Sequence, residues 1–86
     1  MENKILIKLI IPEFDKSYDL FIPVSITVYK LKCLLFKSIV EITHFNLLNS
    51  SCIVMNKVNS RIYNNNEIVI NTDIRNATEL ILLFNN

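Results

Sequence analysis

The sequence of 86 residues contains no glycine, whereas about 7% is usual in globular proteins. Loops that cradle nucleotide phosphates need glycine, because their backbone approaches the ligand closely and adopts conformations that a Cβ atom disfavours. A P-loop and a glycine-rich dinucleotide-binding loop are therefore excluded. We also expect no conjugation through a C-terminal Gly-Gly pair, since the sequence ends Leu82-Leu83-Phe84-Asn85-Asn86.

Cysteines and long apolar runs are also scarce. Cys33 and Cys52 lie in apolar contexts without a CxxC spacing, so neither a zinc site nor a thioredoxin-type motif is indicated. Small secreted domains usually carry several disulfide bonds, so this pair favours reduced thiols in a cytoplasmic protein. The N-terminal MENKILIKLIIPEF does not resemble a signal peptide, because acid and Lys interrupt its apolar run. No uncharged apolar stretch approaches the ~18 residues that suggest a membrane span.

Neither sign of charge is in excess, with nine Lys and Arg against eight Asp and Glu. Nucleic-acid-binding domains usually cluster their basic residues, whereas here they are scattered, so we expect no nucleic-acid partner. The single histidine, His44, has no Ser or Cys partner in a recognisable motif, and the acidic residues do not cluster. We therefore expect no catalytic residues, no metal site, no cofactor and no enzymatic activity.

Aliphatic residues and asparagine are abundant, with 14 Ile, 11 Leu, 6 Val and 12 Asn. A chain this short buries only about 60% of its unfolded surface, so the aliphatic content predicts a well-filled core within one domain, residues 1–86. Asparagine tolerates positive φ better than most non-glycine residues. We expect Asn to take these positions in three turns: Asn59-Ser60, Asn64-Asn65-Asn66 and Asn76-Ala77.

The hydrophobic pattern predicts the element order β-β-α-β-β-β. Two strands, at residues 4–11 and 18–24, are close enough in sequence to form an antiparallel hairpin. Thr27 is a suitable N-cap for a helix over Val28–Thr43 that ends near His44 or Asn46. Further strands are predicted at residues 52–57, 61–63 and 79–84, with a 3₁₀ turn within 67–71 and an isolated apolar anchor at Ile74. A hairpin, a helix and further strands on one sheet constitute the α+β arrangement called β-grasp, in which the helix covers one face of a mixed sheet.

Four stretches resemble the YukD/EsaB-type ubiquitin-like family, which is linked to type VII (Ess/WXG100) secretion in Gram-positive bacteria. DLFIPVSITVYKL resembles the family's strand and P-x-x-x-T-V-x-x-L helix start, VMNKV its third strand, RIY its fourth and EIVINTDIRNATELILLF its ending. The sequence departs from the family at Asn76-Ala77-Thr78, where Asp-Gly-Asp is usual, and has extra residues before RIY.

The resemblance implies a cytoplasmic protein-interaction component with neither enzymatic activity nor conjugation. Its partner would be the secretion ATPase or another core secretion subunit, and it would reach the membrane only through that partner. Homo-oligomerisation is a further expectation. Two alternatives remain open: a self-assembling β-grasp protein of a phage or mobile element, and a modifier or sulfur-carrier protein that lacks its Gly-Gly tail.

Strand alternation predicts that the sheet face opposite the helix is unusually apolar. Solvated sheet faces carry mostly polar residues, so we interpret the large apolar side chains on this face as a protein-interaction surface. By resemblance, Ile53 matches the central isoleucine of the docking patch of ubiquitin. The predicted surface consists of Leu6, Phe21, Ile53, Met55, Ile81 and Leu83.

A second apolar stripe on the helix is the other candidate surface, formed by Tyr29, Cys33, Phe36 and Val40 at spacings of four, three and four. One apolar face suffices for a helix on a sheet, so this stripe is covered either by the loop at residues 45–51 or by a partner. The alternative for both surfaces is that a small aliphatic-rich domain simply exposes apolar side chains. Aromatic and Met enrichment favours interfaces.

Overall fold

The computed structural model describes residues 3–43 and 51–85 of the chain. Two short 3₁₀ turns, Pro12–Phe14 and Val69–Asn71, interrupt the connections, the second of them where the sequence predicts such a turn. The main elements are β1 (Lys4–Ile11), β2 (Lys16–Pro23), α1 (Val28–Thr43), β3 (Ser51–Asn56) and β4 (Glu79–Asn85).

The four strands form one mixed sheet in the order β2-β1-β4-β3. The outer pairs are antiparallel, and the central β1 and β4 are parallel. A central parallel pair requires a crossover, and α1 lies in it on one face of the sheet. The predicted β-grasp arrangement of class α+β is therefore confirmed. The hairpin pairs Ile11 with Lys16, so β2 begins two residues before the predicted start at Tyr18.

The helix has the predicted bounds, Val28–Thr43. Thr27 is its N-cap, because its Oγ1 accepts a 3.1 Å hydrogen bond from the Lys30 N–H. Two other N–H groups of the first turn, which have no partner inside a helix, donate to the 65–67 segment: Val28 to the Glu67 carbonyl at 2.8 Å and Tyr29 to the Asn65 carbonyl at 3.0 Å. The predicted end at His44 or Asn46 lies outside the described residues.

The hydrophobic core lies between α1 and the sheet. The helix contributes Val28, Leu31, Leu35 and Ile39, which recur at three- and four-residue spacing and are at most 2% exposed. The side chain of Ile42, the next residue in this spacing, lies outside the described residues. Tyr63, Val69 and Ile74 extend this core from the β3–β4 connection, and Ile74, the apolar anchor that the sequence predicts, is buried there. The central core residues are Ile7, Leu9, Ile11, Val28, Leu31, Leu35, Ile39, Val54, Leu80 and Leu82.

The strand predicted at residues 61–63 is wrong. Only Ile62 pairs with β3, through an isolated bridge to Met55. Its flanking bonds run from the Asn56 N–H to the Arg61 carbonyl at 2.8 Å and from the Tyr63 N–H to the Val54 carbonyl at 3.1 Å. Two residues later the backbone bonds to the start of α1 instead, and this diverts the segment from the edge of β3 before a ladder can extend.

The expectation that asparagine takes the positive-φ positions is also wrong. In the described residues, the non-glycine residues with positive φ are Asp15, Ser60 and Ala77. Asparagine fixes the turns through its side chain, since a short amide competes well for nearby backbone N–H groups. Oδ1 accepts from the Val58 N–H at Asn56 (2.9 Å), from the Arg61 N–H at Asn59 (3.0 Å) and from the Leu6 N–H at Asn76 (2.9 Å).

Candidate protein-interaction surfaces

The six apolar residues predicted for the open sheet face all lie on that face, opposite α1. Cross-strand partners point to the same side of a sheet, and the register pairs these six with one another. Phe21 is 70% exposed, and the other five side chains are half-buried. The pairs are Leu6 with Phe21, Ile53 with Leu83 and Met55 with Ile81.

The register adds two residues to this face that sequence reasoning missed. Ile10 pairs with Ile81 across the parallel centre of the sheet, and Ile62 bridges to Met55. Ile10 is followed by the buried Ile11, so two successive isoleucines hide the alternation at the end of β1. Ile62 is 53% exposed and extends the face beyond β3. We name the larger apolar region of the face the apolar group; it consists of Ile10, Ile53, Met55, Ile62, Ile81 and Leu83.

A row of four charges crosses the open face and separates the apolar group from Leu6 and Phe21. Lys8 lies opposite Asp19 on one side and opposite Glu79 on the other. Lys57 follows β3, and its Nζ lies 3.4 Å from Oε2 of Glu79. From β2 to β3 the row reads Asp19, Lys8, Glu79 and Lys57, so its signs alternate. We call it the charged row.

The second helix stripe is less uniform than predicted. Tyr29 is 60% exposed and Val40 is 38% exposed. Phe36 is half-buried, and its ring centroid lies 5.4 Å from that of Phe84, so this residue packs against the core as well as facing the stripe. Cys33 is exposed. The loop predicted to cover the stripe lies largely outside the described residues.

A shallow groove of about 300 Å³ lies between the stripe and β3. Lys32 bounds it by donating from Nζ to Oδ1 of Asn65 at 2.6 Å. Burial raises the pKa of Cys52, with Lys32 opposing that shift. A thiol with a raised pKa is a weak nucleophile, so Cys52 is not suited to covalent catalysis. The lining residues are Tyr29, Lys32, Cys33, Phe36, Ser51, Cys52 and Asn65.

The other shifted groups are also unsuited to proton transfer near neutral pH. Burial, followed by the hydrogen bond to Asp73, raises the pKa of Tyr63 to about 12, and that hydrogen bond lowers the pKa of Asp73. A general acid or base works best with a pKa near the operating pH, and both groups move away from it. His44, the remaining candidate from the sequence, lies outside the described residues.

Residues 3–43 and 51–85 contain neither a candidate metal cluster nor a candidate membrane-spanning helix. No group of three or more His, Cys, Asp or Glu side chains is placed to hold a metal ion in this part of the chain. No helix there has the length and apolar character that crossing a membrane requires.

Comparisons with known proteins bear on the fold. No protein-family model matches the sequence, and no curated protein does. Among solved structures, the ubiquitin-like domain of an Arabidopsis thaliana protein matches with a TM-score of 0.69 and 12% identity, over 94% of this chain and 77% of that one. A second protein's N-terminal ubiquitin-like domain matches with a TM-score of 0.71 and 14% identity, over 100% and 79%.

A third solved structure, described as molecular mimicry of SUMO that promotes DNA repair, matches with a TM-score of 0.69 and 16% identity. It covers 96% of this chain and 94% of the other. Identities this low show the fold alone. The chain has the ubiquitin-like form of the β-grasp fold.

Proposed function

We propose that this chain is a non-conjugated, ubiquitin-like protein-interaction module that docks through its open sheet face. The observation that supports the proposal is the apolar group. Six large apolar side chains share a face that the helix leaves uncovered; Ile62 is exposed and the other five are half-buried. Contiguous apolar patches on a protein surface often mark interaction sites. Ubiquitin-like folds among the structural neighbours support a module of this kind.

The charged row adds specificity to such a surface. Charged residues at an interface select partners and fix their register more than they add affinity, because their desolvation offsets much of their attraction. A partner of this face would therefore present apolar side chains to the apolar group and alternating charges to the charged row.

The cellular setting we propose is type VII secretion, with this chain as an accessory or regulatory cytoplasmic component. The sequence resemblance to the YukD/EsaB-type family supports this setting. The partner would be the cytoplasmic part of the membrane-bound secretion ATPase or another core subunit, which would hold the chain at the membrane without inserting it. No enzymatic activity is part of the proposal, and the shifted pKa values of Tyr63 and Asp73 favour none.

A direct binding measurement tests this function. The cytoplasmic part of the FtsK-type ATPase from the same genome is purified and titrated with the chain. Ile53→Asp places a charge in the apolar group and is expected to weaken binding at least tenfold, about 1.4 kcal/mol. The matched control is Ile70→Asp, since Ile70 is 52% exposed in the second 3₁₀ turn and is not part of the apolar group.

Circular dichroism of both variants checks that they remain folded. Wild-type binding that Ile53→Asp abolishes and Ile70→Asp preserves supports the proposal. Absence of wild-type binding to the ATPase contradicts the proposed setting. Equal binding by all three proteins shows that the partner docks elsewhere on the chain.

A further inference from the structure

The charged row has a symmetry that follows from the alternation of its signs. Its four positions carry, in order across the sheet, negative, positive, negative and positive side chains. Reversal of the row about its midpoint, between β1 and β4, brings each position onto one of opposite sign. The row is therefore complementary to a reversed copy of itself.

We propose that the open sheet face binds the same face of a second copy of this chain, about a two-fold axis that runs along the strands between β1 and β4. Two face-to-face sheets related in this way bring β1 opposite β4 and β2 opposite β3. Lys8 then faces Glu79 of the second copy, and Asp19 faces its Lys57. A two-fold axis that crosses the strands at the level of the charged row would instead oppose Lys8 to Lys8 and Glu79 to Glu79, so the charges favour the first arrangement.

The apolar residues fit the same axis. Ile10 and Ile81 are direct neighbours on β1 and β4, so Ile10 of one copy faces Ile81 of the second copy. Phe21, at the end of β2, comes opposite the turn that follows Lys57 in the second copy. That turn presents Val58, which is 85% exposed. Of the large hydrophobic side chains in the described residues, Phe21 and Val58 are the two most exposed, and the proposed axis places Phe21 near the turn that carries Val58.

The apolar residues and the charged row have different roles in this dimer. The apolar side chains supply the affinity, while the central pairs of Lys8 and Glu79 fix the register, since an interfacial ion pair contributes little beyond its desolvation cost. The interface is isologous, because the same patch is used on both copies. The inference rests on the proposed function only in taking the open face as a docking surface. It adds that a second copy occupies the face and competes there with any other partner.

Charge reversal at the two central positions tests the dimer by complementation. Lys8→Glu opposes like charges at two symmetry-related places in a homodimer, and Glu79→Lys does the same. In a mixed dimer of the two variants, every opposition across the interface is attractive again. Attraction within one chain cannot produce this recovery, because neither variant regains its own lost pair when they are mixed.

Sedimentation velocity over a range of concentrations measures the association. We expect wild type to dimerise, each variant alone to associate at least tenfold more weakly, and the equimolar mixture to recover the wild-type constant. Lys37→Glu is the control for Lys8→Glu, since Lys37 is exposed on α1 and its reversal changes the net charge by the same amount and in the same direction. Raised salt concentration should reduce the difference between the association constants of wild type and the variants, and it should reduce the wild-type association constant itself less strongly.

Three results would overturn the inference: a wild-type protein that stays monomeric up to about 1 mM, single variants that dimerise like wild type, or a mixture that stays monomeric. A monomeric wild type that still binds the ATPase through Ile53 leaves the proposed function standing without the dimer. A dimer that shows complementation but does not bind the ATPase leaves the docking face standing without the secretion setting.

Discussion

The hydroxyl of Tyr63 donates a 2.5 Å hydrogen bond to Oδ1 of Asp73 and accepts one of 3.2 Å from Nδ2 of Asn56. Asp73 also accepts from Nδ2 of Asn59 at 3.0 Å, and its Oδ1 lies 3.4 Å from the Arg61 guanidinium. These contacts join the end of β3 to the chain before β4. The long connection between them is thereby fixed by a polar cluster anchored on one buried tyrosine ring.

We predict that Tyr63 makes the protein lose stability at alkaline pH. Its folded-state pKa of about 12 lies above the ordinary value of 10.0, so the stabilisation is complete below pH 10 and is lost as the pH rises through 12. Each pKa unit corresponds to about 1.4 kcal/mol, so the loss can reach about 2–3 kcal/mol. Tyr63→Phe should remove this part of the pH dependence, measured by urea unfolding between pH 9 and 12.

Two variants control this experiment. Tyr29→Phe removes an exposed hydroxyl on α1 and should retain the alkaline loss. Asp73→Asn removes the charge that helps to raise the pKa of Tyr63, so the loss should become smaller. The lowered pKa of Asp73 predicts a second pH dependence, at acid pH. Wild type should lose stability as the pH falls through that pKa, and Asp73→Asn should not show this loss. If the free energy of unfolding of Tyr63→Phe falls with alkaline pH as steeply as that of wild type, the alkaline loss does not come from Tyr63.

Ile74 should be the most sensitive apolar residue of the β3–β4 connection. It is 1% exposed and packs into the core from a segment without regular secondary structure. Ile74→Ala leaves a cavity, and we expect it to lower the free energy of unfolding by about 2–4 kcal/mol. Ile70→Ala changes the same side chain at a position that is 52% exposed and should cost less than about 1 kcal/mol. Similar costs for both, measured by urea unfolding, would show that Ile74 is not a core anchor.

The elements that repeat a strong pattern could be predicted from the sequence. The helix bounds follow from the Thr27 cap and an apolar residue every third or fourth position, and both are local signals. Local signals could not show that the predicted 61–63 strand is absent, because its absence depends on a non-local contact. The carbonyls of Asn65 and Glu67 satisfy the first N–H groups of α1, and this competition has no signature in the three residues themselves.

On the open face, too, local patterns could be predicted from the sequence and contacts between strands could not. Alternation along each strand placed Leu6, Ile53 and Leu83 correctly, because the period of two is a property of one strand. The charged row depends on the register between strands, which places Lys8 beside Glu79 although 71 positions separate them in the sequence. Strand register across a crossover is not encoded in any local pattern, so neither the row nor its symmetry could be derived before the structure.

A glycine should stabilise this glycine-free chain at position 77. Ala77 has a φ of 72°, in the left-handed region that costs an L-residue roughly 1–2 kcal/mol, and its N–H is fixed by a 2.7 Å bond to the Leu6 carbonyl. Glycine relieves this strain but adds about 0.4–1 kcal/mol of unfolded-state entropy. We expect Ala77→Gly to raise the free energy of unfolding by about 0.5–1 kcal/mol.

Ser17→Gly is the opposite control for that substitution. Ser17 lies inside β2, where glycine weakens a strand, so the variant should lose about 0.5–1 kcal/mol. Urea unfolding of both variants beside wild type gives the two signs directly. A destabilised Ala77→Gly would mean that the positive φ at this turn carries no strain that glycine can relieve.

The two thiols should react at clearly different rates, which tests the second helix stripe. Cys33 is exposed, whereas Cys52 is 8% exposed and burial raises its pKa. Only the thiolate attacks Ellman's reagent, so Cys33 should react in a fast phase, at least tenfold faster than Cys52 in the native protein. In denaturant both thiols are accessible, so the slow phase of Cys52 should merge with the fast phase. Cys33→Ser should remove the fast phase and Cys52→Ser the slow one. Because Cys33 lies on α1 and not on the open sheet face, dimerisation through that face should leave its rate unchanged. An inert Cys33 in the native wild type would show that the stripe is covered.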